Sequence, residues 1–377
     1  MDFDWSPAQR ALRQTIIDTC AAHPAPEPDA EPAFPAALHR ALGAAGVLGY
    51  GLPAPYGAGG GLLDLVLINE TLAEHAPHAV SPCFVNQVCG ALLAVGGNKA
   101  QKEELLPQLA AGSLTMAFAL TEPQAGSDAA AIALQATPEG GHYRLSGEKL
   151  YATGCWDADY IITAARTTAE GKASRGSSLI MVPREATGLT LSRLNKIGGR
   201  DHASCHLRYA QVQVEAGLRI GAENGAWPLL LVGAGVERIC VAATCIGAVS
   251  AALRDVVAFL QQREQFGQPI ADFQAIRHTL ADLATRHEAM RWLCYRAAWL
   301  AQRSGPAAAG AVSMAKLQAT EEAGAILLEI MKLHGGLAYL AEHPAPRRLI
   351  ETMLAFYAGG TAQIQRELIA RQVLAAR

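Results

Sequence analysis

The spacing of apolar residues changes twice along this 377-residue chain, and those changes restrict the fold more than any single residue does. Residues 1–115 carry apolar positions at helical spacing, with helices expected over 4–22, 36–45, 62–75 and 98–111. The Pro-rich, acidic stretch 23–35 reads as a surface connection, and residues 57–61 as a tight glycine-rich turn. Residues 116–225 shift to short runs, at 143–145, 150–152, 160–165, 178–182, 189–191 and 206–214, separated by Gly, Asp and Ser. Many short strands at such spacing imply a small β-sandwich or barrel. From 226 to 377 the helical spacing returns and lengthens. Ile276, Leu283, Met290 and Ala297 recur every seven residues, with Leu280, His287 and Cys294 on the adjoining stripe, as on the inner face of a bundle. The expected fold class is therefore α+β with several lobes. An N-terminal all-α domain (1–115) leads to a middle β domain (116–225) and a C-terminal four-helix bundle (226–377).

Composition removes several classes of function. Hydrophobic residues make up 51% and charged residues 17%, which favours long buried helices over a disordered chain. A formal net charge of −3 gives no electrostatic case for nucleic acid or for an anionic membrane. The longest apolar run, 239–253, contains Thr and Ser and reads as too short for a membrane span, so no membrane insertion is expected. The acidic start Met1-Asp2-Phe3-Asp4 is followed by Ser6-Pro7, a helix start and not a signal peptide, and a cytoplasmic location is expected. The eight cysteines form no Cys-x-x-Cys pair and are expected to be reduced, small buried residues. His202, Cys205 and His206 could ligate a metal. In a strand, however, 205 and 206 face opposite ways and no fourth ligand is apparent, so no metal site is expected.

Chemistry is suggested by a series of polar and glycine-containing segments. Thr121-Glu122-Pro123-Gln124-Ala125-Gly126-Ser127-Asp128 follows the apolar run 116–120, so a strand opens into a polar loop. The hydroxyls of Thr121 and Ser127 and the N–H groups around Gly126 would face whatever sits at that strand end, although an ordinary turn uses the same residues. Further on come Gly147-Glu148-Lys149-Leu150-Tyr151-Ala152-Thr153-Gly154 and Glu237-Arg238 at the expected opening of a helix. Arg263-Glu264-Gln265-Phe266-Gly267 and Phe273-Gln274-Ala275-Ile276 follow, with Leu280-Ala281-Asp282. His334-Gly335-Gly336 and Gly360-Thr361-Ala362-Gln363-Ile364-Gln365 complete the series. In this order, and over essentially the whole chain, the segments resemble the acyl-CoA dehydrogenase family.

The resemblance implies an FAD-dependent enzyme that removes hydrogen across the α,β bond of an acyl thioester, by α-proton abstraction and β-hydride transfer to flavin N5. It implies that Thr121, Gly126 and Ser127 hold the flavin and its pyrophosphate region, with Ser127 also near the substrate. Tyr160 or its strand neighbours would cover one ring face. Arg263, Phe266 and Gln274 would hold the adenine–pyrophosphate end of a neighbouring subunit's FAD, since an Arg fork suits phosphate. Gly335 and Gly336 would let backbone approach the dinucleotide, and Thr361 and Gln363 would bring donors to it. Lys332 stands where Gln is common and would either pair with a cofactor phosphate or be exposed. Contacts across a subunit boundary imply a homodimer or homotetramer. Acyl-CoA is the implied substrate, with a carrier-protein thioester possible, and electron-transfer flavoprotein is the implied partner.

The base is the point of departure. Many members carry a Glu immediately before the Gly-Thr of the last helix, where this chain has Gly359 in Tyr357-Ala358-Gly359-Gly360-Thr361. A branch that includes the isovaleryl and long-chain enzymes carries its base in the earlier Glu-Arg pair instead. Glu237 is therefore the expected base, with Arg238 and the Gly359 N–H at the substrate. The competing account of Glu237 is a first-turn carboxylate that favours the helix dipole. Other readings of the same scaffold are a flavin oxygenase or oxidase, an enoyl-thioester reductase, or a non-catalytic flavin-binding member.

Overall fold

The computed structural model describes residues 4–25, 33–168 and 172–375, and the expected connection 23–35 lies partly outside them. Helix α1 (Pro7–Ala22) starts because Ser6 and Gln9 exchange side-chain and backbone bonds, with Pro7 in the first turn. Leu12, Ile16 and Cys20, four residues apart, form its buried face. Then come α2 (Ala36–Ala44), α3 (Leu62–His75), α4 (Pro77–Gly96) and α5 (Lys99–Ala111). Asn98 and Gln101 repeat the capping box on α5, and Gly112 (φ 67°) ends it in the left-handed region.

Sequence patterning did not predict α4. Residues 78–94 of this helix are buried or half-buried at every position, so no polar stripe marks a helical period, and Pro82 lies within the helix.

The middle of the chain holds β1 (Met116–Ala119), β2 (Gln135–Glu139), β3 (His142–Thr153) and β4 (Tyr160–Arg166). The short α6 (Ala173–Gly176) precedes β5 (Ser177–Pro183), β6 (Leu189–Arg193), β7 (Ser204–Glu215) and β8 (Arg219–Ile220). All eight join one hydrogen-bonded sheet in the order β6-β7-β3-β2-β4-β5-β8, with β1 parallel to β4. Runs 143–145 and 150–152 are halves of one strand, β3, pinned against β7 with two register shifts. Strands β2 and β8 were not expected; β2 is exposed except at Ala136, so it shows no apolar run. The core of this sheet includes Leu145, Ile161, Ile180, Val182, Leu207 and Val212, all fully buried.

The helical remainder comprises α7 (Ala226–Gln262), a two-stranded hairpin of β9 (Glu264–Gln265) and β10 (Gln268–Pro269), then α8 (Gln274–Ser304), α9 (Ala309–His334), α10 (Pro344–Thr352) and α11 (Ala362–Ala375). The seven-residue stripe of α8 is inward as expected at Leu283, Met290 and Ala297, which join Ile246, Val249, Ala319 and Ile326 in one core. Chain packing gives two compact units among the described residues. One contains 4–25, 62–80 and 238–375, and the other 33–61, 81–168 and 172–237.

Two expectations about α7 are corrected. Helix α7 begins at Ala226, eleven residues before Glu237, so Glu237 lies about three turns inside it and not in its first turn. The apolar run 239–253 is part of a helix that, like α4, is long and apolar enough to cross a membrane. Of the qualifying windows, 67% in α4 and 61% in α7 is buried inside the protein, as in a core helix.

Candidate active site

The loop 121–128 is braced from beneath by a buried ion pair that sequence reading did not single out. Glu122 and Lys149 are both buried, with Lys149 Nζ 2.7 Å from Glu122 Oε1 and 2.8 Å from the Leu120 carbonyl. The same carboxylate accepts the Ala133 N–H at 2.6 Å, the Leu134 N–H at 3.0 Å and the Gln124 amide at 2.6 Å. Burial pushes the Glu122 carboxyl up, but the Lys149 charge and these donated bonds outweigh it and hold the group below its ordinary value. Burial also pulls the Lys149 ammonium down to about 8, against the attraction of Glu122, so both partners are charged at neutral pH. The only earlier hint was a Glu and a Lys in two motifs separated by a strand.

With that brace in place, the loop presents its polar side outward. Glu122 and Ala125 exchange backbone bonds at 3.0 and 3.1 Å, closing the turn, while Gly126 and Ser127 are exposed and Thr121 is half-buried. The Leu150 N–H donates to the Thr121 carbonyl at 2.8 Å, so the loop rests on β3. The next residue, Tyr151, has φ 60° at a register shift in β3 and is 65% exposed. A bulky side chain in that conformation is rare and marks a bulge that leaves the ring exposed. Tyr160 begins β4 opposite Met116, at the other end of the β1–β4 pair from the loop. The structure therefore does not bring Tyr160 to Thr121.

In the same compact unit, residues Arg193, Leu194, Asn195, Lys196, Arg200 and Ala203 line a cavity of about 240 Å³. The Arg193 guanidinium also lies over the Trp156 ring, 4.2 Å from its centroid. The three candidate metal ligands part company. His202 Nδ1 is 2.8 Å from Ser81 Oγ, Cys205 is buried, and His206 Nε2 is 2.8 Å from Glu148. Among the described residues no group of three or more His, Cys, Asp and Glu is placed to hold a metal ion.

The other compact unit holds a second group of expected residues. Gly359 and Gly360 both have positive φ, 66° and 93°. Arg238 Nε donates to the Gly359 carbonyl at 2.9 Å. Lys316 and Gln365, fully buried, both donate to the Gly360 carbonyl. Thr361 caps α11 through its hydroxyl to the Ile364 N–H at 3.4 Å, with Gln363 exposed on the first turn. Glu237, one residue before Arg238 on α7, is half-buried and is the last residue of the unit that contains the 121–128 loop.

The hairpin after α7 carries Arg263 and Phe266. Phe266 (φ 53°) and Gly267 (φ 78°) make a two-residue turn that leaves the Phe266 ring 94% exposed. The Arg263 side chain has no partner among the described residues, and Gln274 opens α8 exposed. Phe259, one turn before Arg263, stacks on His334 with centroids 5.0 Å apart, which ties the hairpin to the end of α9. There Gly335 (φ 61°) stops the helix, and neither it nor Gly336 has an atom within 4 Å of where a Cβ would stand. Lys332, expected to face a phosphate or solvent, pairs with Glu329 at 2.6 Å on the exposed helix surface.

Comparison with known proteins identifies the family. Family models match in three consecutive pieces: acyl-CoA dehydrogenase N-terminal domain over 6–113, middle domain over 117–212 and C-terminal domain over 224–374. The chain is 34% identical to an isovaleryl-CoA dehydrogenase, mitochondrial, of Pongo abelii, covering 97% of this chain and 88% of the relative. It is 30% identical to an acryloyl-CoA reductase (NADH) of Anaerotignum propionicum, covering 99% and 96%. The solved structure of butyryl-CoA dehydrogenase from Megasphaera elsdenii superposes with a TM-score of 0.94 at 29% identity, covering 99% of this chain and all of that one. With its helical, sheet and helical parts each matched in order, the chain belongs to the acyl-CoA dehydrogenase family.

Proposed function

We propose that the protein binds FAD and catalyses α,β-dehydrogenation of an acyl-CoA, with Glu237 as the base. A flavin is expected of this family, and the residues present suit a phosphate-bearing dinucleotide. Gly126, Gly335 and Gly336 leave open space where side chains would stand, and the unpartnered Arg263 offers a fork for phosphate. Thr121, Ser127, Thr361, Gln363 and Gln274 would supply further donors, while Lys332 is engaged by Glu329. Bound FAD supplies the acceptor for the hydride that leaves the substrate's β-carbon. The exposed Phe266 ring and the hairpin around it suit contact with a second copy, as in a homodimer or homotetramer. The cations lining the 193–203 cavity suit the anionic nucleotide end of CoA better than a neutral ester.

One observation carries the assignment of the base. At Gly359, a Cβ would stand 3.2 Å from Arg238 Cγ on a backbone of φ 66°, so that turn is built without a side chain. No carboxylate can act from position 359, whereas Glu237 precedes on α7 the very arginine that bonds the turn. In this reading the Glu237 carboxylate takes the α-proton, and N–H groups of the 359–361 turn stabilise the oxygen on which charge develops. Run in reverse, the same residues would return that proton to an enoyl thioester, a second reading favoured by the similarity to an acryloyl-CoA reductase. Electron-transfer flavoprotein is the proposed acceptor in the forward direction. Eight buried thiols without a disulfide suit a reducing compartment such as the cytoplasm.

The test is anaerobic titration of the yellow protein with a panel of acyl-CoAs. Glu237→Gln should keep FAD and lose substrate bleaching of the flavin by at least about 100-fold in rate. Bleaching at the wild-type rate would remove Glu237 as the base.

A further inference from the structure

The turn that opens α11 is held by its carbonyls. Arg238 Nε donates to the Gly359 oxygen at 2.9 Å, and Gln365 Nε2 donates to the Gly359 and Gly360 oxygens at 3.0 Å each. Lys316 Nζ donates to the Gly360 oxygen at 2.8 Å. Lys316 rises from the middle of α9 and is fully buried, in a stretch where Ala315 and Ala319 are fully buried as well. An ammonium in such surroundings is costly unless hydrogen-bonded, so its placement calls for a physical reason beyond helix packing.

A trans peptide is planar, and its C=O and the following N–H point in opposite directions. Drawing the Gly359 oxygen towards Arg238 and Gln365 therefore sends the Gly360 N–H the other way. Drawing the Gly360 oxygen towards Lys316 and Gln365 does the same to the Thr361 N–H. Among the described residues, no backbone oxygen accepts from either N–H. Gly359 and Gly360 both have positive φ, as in turns that present successive N–H donors on one side.

We infer that Lys316 and Gln365 are positioning residues that aim the turn's N–H groups at the thioester oxygen. This rests on the reading of the reaction given above. Arg238 shares the work from α7, so the turn is gripped from three helices: α7, α9 and its own α11. Positioning of this kind favours the charge that develops in the reaction more than it favours the resting substrate.

The experiment uses FAD-loaded protein, Lys316→Met and Gln365→Leu, and a non-oxidisable 3-thiaacyl-CoA with an isotope-labelled carbonyl. Its chain length is that of the acyl-CoA which bleaches the wild type best. Isotope-edited infrared spectra should place the bound carbonyl stretch below its free value in the wild type, and back towards the free value in both variants. With the oxidisable acyl-CoA, kcat should fall roughly 100-fold while KM stays within about threefold. Loss of FAD or of thermal stability with an unshifted carbonyl stretch would show a merely structural or cofactor-holding role and overturn the inference. Should Lys316→Met fail to fold, Gln365→Leu alone decides by the same spectrum. A wild type that no acyl-CoA bleaches would defeat the reaction itself and this inference with it. A bleaching wild type with unaltered variants would defeat only the inference.

Discussion

At the scale of single residues, the buried pair Glu122–Lys149 is the part of the site most exposed to damage. Lys149→Met leaves a carboxylate in the interior with its cationic partner gone, a change that destabilises a protein by about 3–5 kcal/mol. The urea midpoint should fall accordingly, and Glu122→Gln combined with Lys149→Met should be less destabilised than the sum of the single changes. Additivity in that cycle would mean the two groups act separately. Because Glu122 also takes the Ala133 and Leu134 N–H groups, Lys149→Met should loosen the 121–128 loop and release flavin more readily. Both residues stood in plain view in their motifs. Their pairing was not legible, because it depends on which strand end meets which loop, and nothing in local spacing encodes that.

At the scale of elements, the hairpin 264–269 shows a side chain kept against its backbone preference. A phenylalanine at φ 53° in a two-residue turn stores about 1–3 kcal/mol, and Asn in its place relieves much of it. Phe266→Asn should therefore raise the melting temperature of flavin-free protein while weakening FAD retention and self-association, measured by thermal melts and sedimentation. A variant that keeps both FAD and self-association would show the exposed ring to be idle. Elements with a one-sided pattern or clear caps were legible. These include α1 with its Ser6 box, α5 with Asn98 and Gly112, and the seven-residue stripe of α8. Elements surrounded by protein were not. Helix α4 has no polar stripe to give its period away. The start of α7 was misplaced because residues 226–236 are all apolar, with Pro228 and two glycines among them, leaving only Glu237-Arg238 as an apparent beginning. Strand β3 read as two runs because the polar stretch Ser146-Gly147-Glu148-Lys149, with Gly147 at φ 139°, interrupts its alternation.

At the scale of the whole molecule, acid sensitivity has an identifiable source. Burial, helped by the charge of Arg40, pulls His39 down to about 4, and burial, helped by Lys196 and His39, pulls His202 down to about 3. Both are depressed from 6.5, so the unfolded chain binds more protons than the folded one below that pH. Stability from these groups is complete above pH 6.5 and declines as pH falls towards 4, each histidine adding up to about 1.4 kcal/mol per pH unit. The urea midpoint should follow that course in the wild type, and His39→Asn with His202→Asn should flatten it between pH 6.5 and 4.5. An unchanged slope would assign the sensitivity to other groups.

The eight buried cysteines give the molecule a further property. They are distributed over α1 (Cys20), α4 (Cys83, Cys89), the turn after β3 (Cys155), β7 (Cys205), α7 (Cys240, Cys245) and α8 (Cys294). A thiol reagent meets each sulfur only when its own neighbourhood opens, so labelling rates read site by site amount to a set of local clocks. The protein thus carries a built-in map of its own breathing, with no probe to be engineered in.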